Sequence, residues 1–362
     1  MTEPSTPRWR EPLGVFALAL VIIALLSLLS GAIPWLAANL VAAVGLVFFG
    51  LAHLVFKRID ADPKRFGVDL DTIPASQVLF GLAVTALIFP LFALGNHVWE
   101  RQVLDRDFVP ALENYRQWSP ALQTRPPELT APGARVWTAR RAIHVELSSP
   151  EDAPGALSLN AHADAPVHWQ SLGRTNLHVT DQNHTWELTP TAPLARYTLP
   201  PRTPEGQVQP LHTLTLTYDA PITSGAGNTA PGEPLTLKRG YAWILLWALT
   251  HLLLVALPEE YFYRGYLQTR LGQLLTHAEG HPRRFLGLTL ANWLTSALFA
   301  LGHLLVPVGG AILVTRAAVF FPSLLFGWMR ERSGSIIAPV IFHAAANMMV
   351  LLVNVHYYSA NA

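Results

Sequence analysis

The chain has 362 residues, of which 51% are hydrophobic and 14% charged, with a formal net charge of +1 and no cysteine. A soluble domain carries about 25% charged residues, so a single water-soluble domain is excluded in favour of membrane spans joined to a soluble part. The missing cysteine removes disulfides, thiol catalysis, Cys-based zinc sites and a lipidated-cysteine anchor, and the near-neutral charge gives no footing for a nucleic-acid partner.

A helix needs about 20 apolar residues to cross a bilayer. Three such stretches come early, at 13–33, 35–56 and 77–99, and four come late, at 241–258, 285–306, 310–329 and 335–356. The first has the look of a signal peptide, but the second follows at once and would be stranded by cleavage, which predicts an uncleaved anchor. The expected fold is therefore mainly α, with about seven transmembrane helices and an inserted β-rich, sandwich-like extracytoplasmic domain. Domain limits fall at 1–99 for a three-span region, 100–237 for the insert and 238–362 for a four-span core.

Basic residues in the short connections set the orientation. Arg8 and Arg10 precede the first span, and Lys57, Arg58, Lys64 and Arg65 follow the second. Arg264, Arg270, Arg283 and Arg284 lie between the fourth and fifth, and Arg330 and Arg332 follow the sixth. All fall on one side, which the positive-inside rule makes cytoplasmic, with the N-terminus inside and 100–237 outside. Arg outnumbers Lys 22 to 3, and this bias with the Ala and Pro richness points to a GC-rich bacterial genome and hence to a bacterial inner membrane.

The insert alternates with period two at Ile143/Val145/Leu147, Leu157/Leu159, Leu177/Val179 and Leu214/Leu216/Tyr218, the pattern of half-buried strands. Residues 104–122 read as helical and 223–234 as a flexible return linker. Its histidines (His144, His162, His168, His178, His184 and His212) lack ligand spacing and read as surface or cross-strand residues.

Ionisable groups within spans are costly and mark function. Glu259 and Glu260 follow an apolar run directly, with Arg264 four residues beyond Glu260 and hence on the same helical face. Glu259 points about 100° away and is available for other work. His303 lies in the fifth span, and His343 and Asn347 share one face of the seventh. A carboxylate, two imidazoles and an amide supply a base for water, a proton donor and oxyanion donors, which is a hydrolase inventory without thiol or serine. Arg316 sits near the outer end of the sixth span, where it can snorkel or pair within the bundle.

Glu259-Glu260-x-x-x-Arg264, Phe299-x-x-x-His303 and His343-x-x-x-Asn347 resemble the three signature motifs of the CPBP family. That family comprises intramembrane proteases of the CAAX prenyl protease and bacteriocin-processing or immunity type. The resemblance covers about 243–353 and implies an abortive-infection-type helical protease core. It assigns the catalytic set Glu259, His303, His343 and Asn347. Glu259 is the base, assisted by His303; His343 and Asn347 hold the oxyanion; Glu260 and Arg264 orient the site. It also implies a choice between a metal-free route and a divalent metal such as zinc held by Glu259, His303 and His343. The absence of a His-Glu-x-x-His string favours the metal-free route.

For these groups to meet, the fourth helix must run on to about Tyr266 and the fifth must begin near Leu290, leaving 267–284 as an interfacial segment. The expected activity is endopeptidase cleavage of a membrane-anchored or exported protein in the bilayer, the second partner being the lipid itself. The reading from another class is a non-catalytic membrane binding, immunity or sorting partner. Transport predicts repeated halves, which the sequence lacks.

Overall fold

The computed structural model describes residues 8–108, 115–139, 142–171, 178–182, 184–201, 209, 211–277, 280–306 and 314–359. Two compact units emerge: Met1–Arg106 with Trp247–Asn354, which is helical, and Asp107–Leu246 with Val355–Ala362, which is β-rich.

In the helical unit, α1 (Arg10–Ser30), α2 (Pro34–Arg58), α3 (Ala75–Gln102) and α4 (Ala242–Leu274) are long and apolar enough to cross a membrane. α5 (Leu290–Leu305) and the Ile337–Val353 part of α7 (Ile337–His356) are shorter apolar helices. The chain is a multi-pass membrane protein, mostly helical, with a β-rich middle. The sixth expected span differs from expectation. Residues 310–313 lie outside the described residues, and Val314–Val319 forms a 3₁₀ turn. α6 then occupies only Phe320–Ser333, with Pro322 in its first turn, where its fixed φ and missing N–H are tolerated.

The unit has its apolar residues on both sides. Leu18, Leu28, Leu46, Leu79, Leu87 and Leu94 are exposed, as suits helices solvated by lipid, while Phe16, Phe48, Phe56, Phe299 and Phe326 converge on the interior. At its centre runs α4, whose residues from Tyr261 to Leu267 are all buried. Pro258 has no N–H to give the Leu254 carbonyl one turn back, and α4 is π-wound on either side, over His251–Ala256 and Tyr261–Leu267. α2 crosses here at Gly45. A Cβ at that position would lie 2.6 Å from the Leu254 carbonyl oxygen and 3.3 Å from Pro258 Cγ, so only glycine permits the approach.

The ends expected on one side of the membrane do lie together. Glu11 of α1 binds Arg270 of α4 through two hydrogen bonds of 2.7 and 2.5 Å. The Arg330 guanidinium packs on Gly67, and Gln77 donates to the Ser333 carbonyl. Gln268 and Thr289 both donate to Glu331. Two of the arginines used for orientation are internal, however. Arg264 and Arg270 are fully buried and ion-paired, Arg264 with the buried Glu260 and Arg270 with the partly exposed Glu11 at the start of α1. Arg8, Arg10, Lys57, Arg58, Lys64, Arg65, Arg283, Arg284 and Arg332 are exposed.

The β-rich unit holds two six-stranded sheets among the described residues. One runs, in spatial order, Gln117–Trp118, Leu235–Gly240, Thr213–Tyr218, Leu159–Ala163, Thr185–Thr189, His178–Gln182. The other runs Gly227–Thr229, Ile222–Ser224, Gly133–Ala139, Ala142–Ser148, Leu194–Leu199, Gln170–Ser171. Ile143, Val145 and Leu147 from one sheet and Leu214, Leu216 and Tyr218 from the other share a single core, which makes a sandwich. Of the remaining alternating positions, Leu177 lies outside the described residues.

Two expectations here are corrected. Residues 104–108 and 115–122 are not a helix; 109–114 lie outside the described residues. Asp105 takes a left-handed φ of 48°, Asp107–Phe108 pairs with Tyr358–Ser359, Gln117–Trp118 pairs with Arg239–Gly240, and Pro120 opens a single 3₁₀ turn. Partner strands override the local helical pattern. Nor is 223–234 a free linker: Ile222–Ser224 lies parallel to Ala134–Val136 and turns back into Gly227–Thr229. The Gly and Asn residues there serve the turn.

Of the described histidines, His144 and His162 meet partners across strands, while His168, His184 and His212 lie outside the strands. His144 contacts the Thr198 hydroxyl and stacks on Trp137, and burial pushes its pKa below the usual value. His162 contacts Thr185. Asp164 accepts the backbone N–H groups of His212 and Thr213; its partial burial favours the neutral acid, but these bonds outweigh it and hold the pKa below the ordinary value.

Replacing Gly45 by valine should destabilise the helical unit by about 1–3 kcal/mol, because the obstacle is a backbone carbonyl that cannot swing away. Thermal unfolding of the purified protein in detergent reads this directly; an unchanged midpoint would show that α2 does not depend on that approach.

Candidate active site

Glu259 and Glu260 lie on the short α-wound stretch of α4, Leu257–Glu260, between its two π-wound segments. Extra residues per turn on both sides change which way successive side chains point, and π-bulges of this kind recur at functional sites. The two carboxylates part company here. Glu260 is fully buried in the core, and Glu259 faces a cavity.

Glu260 serves two partners. Its Oε2 lies 3.2 Å from Arg264 Nε, the expected i,i+4 pair, and its Oε1 lies 2.9 Å from His343 Nδ1. Arg264 is itself completely enclosed. Its Nη2 donates to the Ser323 hydroxyl at 2.8 Å and the Ser323 carbonyl at 3.2 Å, and its guanidinium centre lies 5.4 and 5.5 Å from the Phe299 and Phe326 ring centroids. Two aromatic faces, a hydroxyl and a carbonyl thus add to the solvation that one carboxylate begins, although Arg264 Nε and Nη1 make no hydrogen bond.

His343 is fixed from three directions. Glu260 holds Nδ1, the Phe326 ring stacks on the imidazole with centroids 4.7 Å apart at 19°, and Phe299 meets it edge-on at 6.0 Å. With Nδ1 donating to Glu260, Nε2 is turned towards Glu259, whose Oε2 is 3.9 Å away. His303, on α5, holds its Nδ1 3.0 Å from the Phe299 carbonyl one turn back, which leaves Nε2 for chemistry. Glu259, His303, His343 and Asn347 line one cavity of about 430 Å³, with mostly apolar walls from α3, α5, α6 and α7. α4 runs through to Leu274 and α5 begins at Leu290, which is the geometry that lets these groups meet. Within the stretch expected to be interfacial, 268–274 continues the helix, and beyond it Arg284–Phe285 pairs with Leu288–Thr289 in a small hairpin.

The structure therefore brings all six expected residues together, four at the cavity and two behind it. It adds residues the sequence did not single out. Ser323 stands beside Pro322 in an apolar run, and its polarity there was a usable signal. Phe326 has none, being one aromatic among many. Tyr263, inside the first motif, is buried with its ring 4.8 Å from Phe299. Asn292 donates to the Leu324 carbonyl and accepts from Ser296, tying α5 to α6 where Gly327 leaves room. Among the described residues, no three His, Asp or Glu side chains are grouped so as to hold a metal ion.

Residues 241–349 match the family model described as Type II CAAX prenyl endopeptidase Rce1-like. This segment is an Rce1-like domain of the CPBP family. No curated protein and no solved structure matches the chain. The Rce1-like domain takes in α4, α5, α6 and most of α7, including every residue of the three motifs, while α1–α3 and most of the β-rich unit lie outside it. The family is one of peptidases, and Glu259, His303, His343 and Asn347 of the cavity all lie within the matched segment.

The two adjacent carboxylates should respond differently to neutralisation. Glu260→Gln leaves Arg264 buried without its counter-charge and should cost about 3–5 kcal/mol of stability, whereas Glu259→Gln should stay within about 0.5 kcal/mol of wild type. Unfolding midpoints of both variants in the same detergent provide the comparison; equal losses would contradict the division between a structural and a cavity-facing carboxylate.

Proposed function

We propose that the chain is an intramembrane endopeptidase that uses Glu259 to activate water against a peptide bond of a membrane-anchored or exported protein. The observation that carries this reading is the shared cavity in which Glu259 and His303 face His343 and Asn347, with His343 clamped from behind by Glu260.

In this mechanism Glu259 takes a proton from a water molecule, and the resulting hydroxide attacks the carbonyl carbon. The oxyanion is held by the Asn347 amide and the His343 imidazole. For Nε2 of His343 to donate, the ring must carry both protons, and the Glu260 carboxylate at Nδ1 is its counter-charge. The tetrahedral intermediate collapses with cleavage of the C–N bond, and the proton on Glu259 passes to the leaving amine, with His303 assisting the transfer. Every proton is accounted for within these residues; the alternative route keeps a divalent metal such as zinc, which Glu259, His303 and His343 of the same cavity would hold and which would polarise the carbonyl and the water. On this reading the exposed basic ends of the bundle face the cytoplasm, all seven apolar segments lie in the membrane, and 100–237 is extracytoplasmic, next to an exported client.

Purified Glu259→Gln should lose roughly 10²- to 10⁴-fold in cleavage rate while remaining folded. Asn347→Ala should lose roughly 10²- to 10³-fold. Full activity in Glu259→Gln would sink the assignment. Activity that survives chelation and dialysis separates this route from a zinc-dependent one, and cysteine labelling from one side of sealed vesicles at positions 60 and 232 tests the orientation.

A further inference from the structure

A separate cavity, of about 310 Å³, lies at the end of the bundle where α4 and α6 finish and α5 begins. No residue lines both this cavity and the one at Glu259. Its polar lining includes Arg264, Gln268, Arg283, Arg284, Arg330 and Glu331. Arg264 is balanced by Glu260, and Glu331 already accepts from Gln268 and Thr289. Arg283, Arg284 and Arg330 therefore stand against a single engaged carboxylate, and none of the three is ion-paired among the described residues. Arg330 Nε and Arg264 Nη1 are buried donors without a hydrogen bond, so the wall behind the cavity carries positive charge that the bundle leaves unanswered.

Beside the cavity stands the hairpin in which Arg284–Phe285 pairs with Leu288–Thr289, its two-residue tip being Leu286-Gly287. Both tip residues take positive φ, 50° for Leu286 and 81° for Gly287, the geometry for which Asn-Gly or Asp-Gly is the usual choice. A leucine there is strained by its Cβ. It is also 78% exposed, with Phe285 next to it at 56%. Water rewards neither feature, whereas acyl chains accept both side chains. Trp293 sets the depth: its indole N–H donates to the Phe285 carbonyl at 3.0 Å, the two rings are 5.6 Å apart, and tryptophan favours the membrane–water boundary. Arg284 Nη1 donates to the Gly287 carbonyl at 2.9 Å, which keeps one cation at the base of the tip.

We propose that this cavity binds the phosphate of an anionic phospholipid through Arg283, Arg284 and Arg330, with Phe285 and Leu286 set among its acyl chains. A guanidinium matches phosphate oxygens with parallel N–H bonds, and basic pockets between helix ends at a membrane surface suit such headgroups. The occupant is a lipid and not a soluble phosphate because the cations adjoin an exposed apolar tip. The bound lipid ties together the ends of α4, α5 and α6, and the site stands independently of the peptidase reading.

The test titrates the full-length protein, in a neutral detergent, with phosphatidylglycerol or with phosphatidylcholine of identical acyl chains. Native mass spectrometry reads binding, and the unfolding midpoint reads stabilisation. Wild type should prefer phosphatidylglycerol by roughly tenfold or more, since each basic group at an anionic surface contributes about fivefold. The double variant Arg283→Gln/Arg284→Gln, altered only at exposed positions, should lose most of that preference. Leu286→Asn should bind phosphatidylglycerol several-fold more weakly while its lipid-free midpoint holds or rises, because asparagine accepts the positive φ. Equal binding of the two lipids by wild type overturns the proposal, as does a preference that survives in the double variant or wild-type affinity in Leu286→Asn. Inorganic phosphate that displaces phosphatidylglycerol, or raises the midpoint as far, assigns the cavity to a soluble anion and overturns the lipid.

Discussion

The helical unit is organised around one buried charge pair. Glu260 and Arg264 lie where no water is available, in a bundle whose outer faces carry leucine. An ion pair in such a place must be completed by its neighbours, since desolvation otherwise outweighs attraction. α6 supplies the Ser323 hydroxyl and carbonyl, α5 and α6 supply the Phe299 and Phe326 faces, and α7 supplies His343. These contacts therefore tie together the three helices that carry the motifs, α4, α5 and α7, and α6 beside them. The same pair sets the orientation of His343, so the fold and the site depend on one set of contacts.

Where the two carboxylates point follows from an irregularity. Pro258 interrupts the hydrogen-bond ladder of α4, π winding takes up the disturbance, and the two carboxylates diverge, one to the core and one to the cavity. Gly45 of α2 seats against that irregularity. Another cavity lined by Glu259 and His303 is walled partly by α1 and α2, although the Rce1-like match begins only at residue 241. The N-terminal hairpin is part of the site's enclosure even though no motif marks it.

Much of this was legible in the sequence where periodicity is local. The period-two runs at Ile143–Leu147 and Leu214–Tyr218 became buried strand faces, and the spacing of Glu260 to Arg264 and of His343 to Asn347 placed each pair on one helix face. The requirement that Glu259, His303 and His343 share a depth also forced the correct extension of α4. What escaped was set by distant partners. The stretch 104–122 carries a helical pattern, but its described residues Asp107–Phe108 and Gln117–Trp118 pair with strands more than a hundred residues away. The 223–234 run, rich in small residues, hides a hairpin whose stability comes from a parallel neighbour. Arg264 and Arg270 read as loop charges until their carboxylate partners are seen, and Phe326 and Gly45 act through contacts between helices that leave no trace in spacing.

The Glu11–Arg270 bridge has a consequence for biosynthesis. Its two halves are separated by 259 positions in the chain. At about 5–20 residues per second, roughly ten to fifty seconds pass between synthesis of the carboxylate and arrival of its guanidinium. During that interval the ribosome makes the whole Asp107–Leu246 segment. α1 must therefore wait in the bilayer with Glu11 solvated at the headgroup boundary. The bridge is a late event that fastens the first helix to the fourth after the Asp107–Leu246 segment has been made.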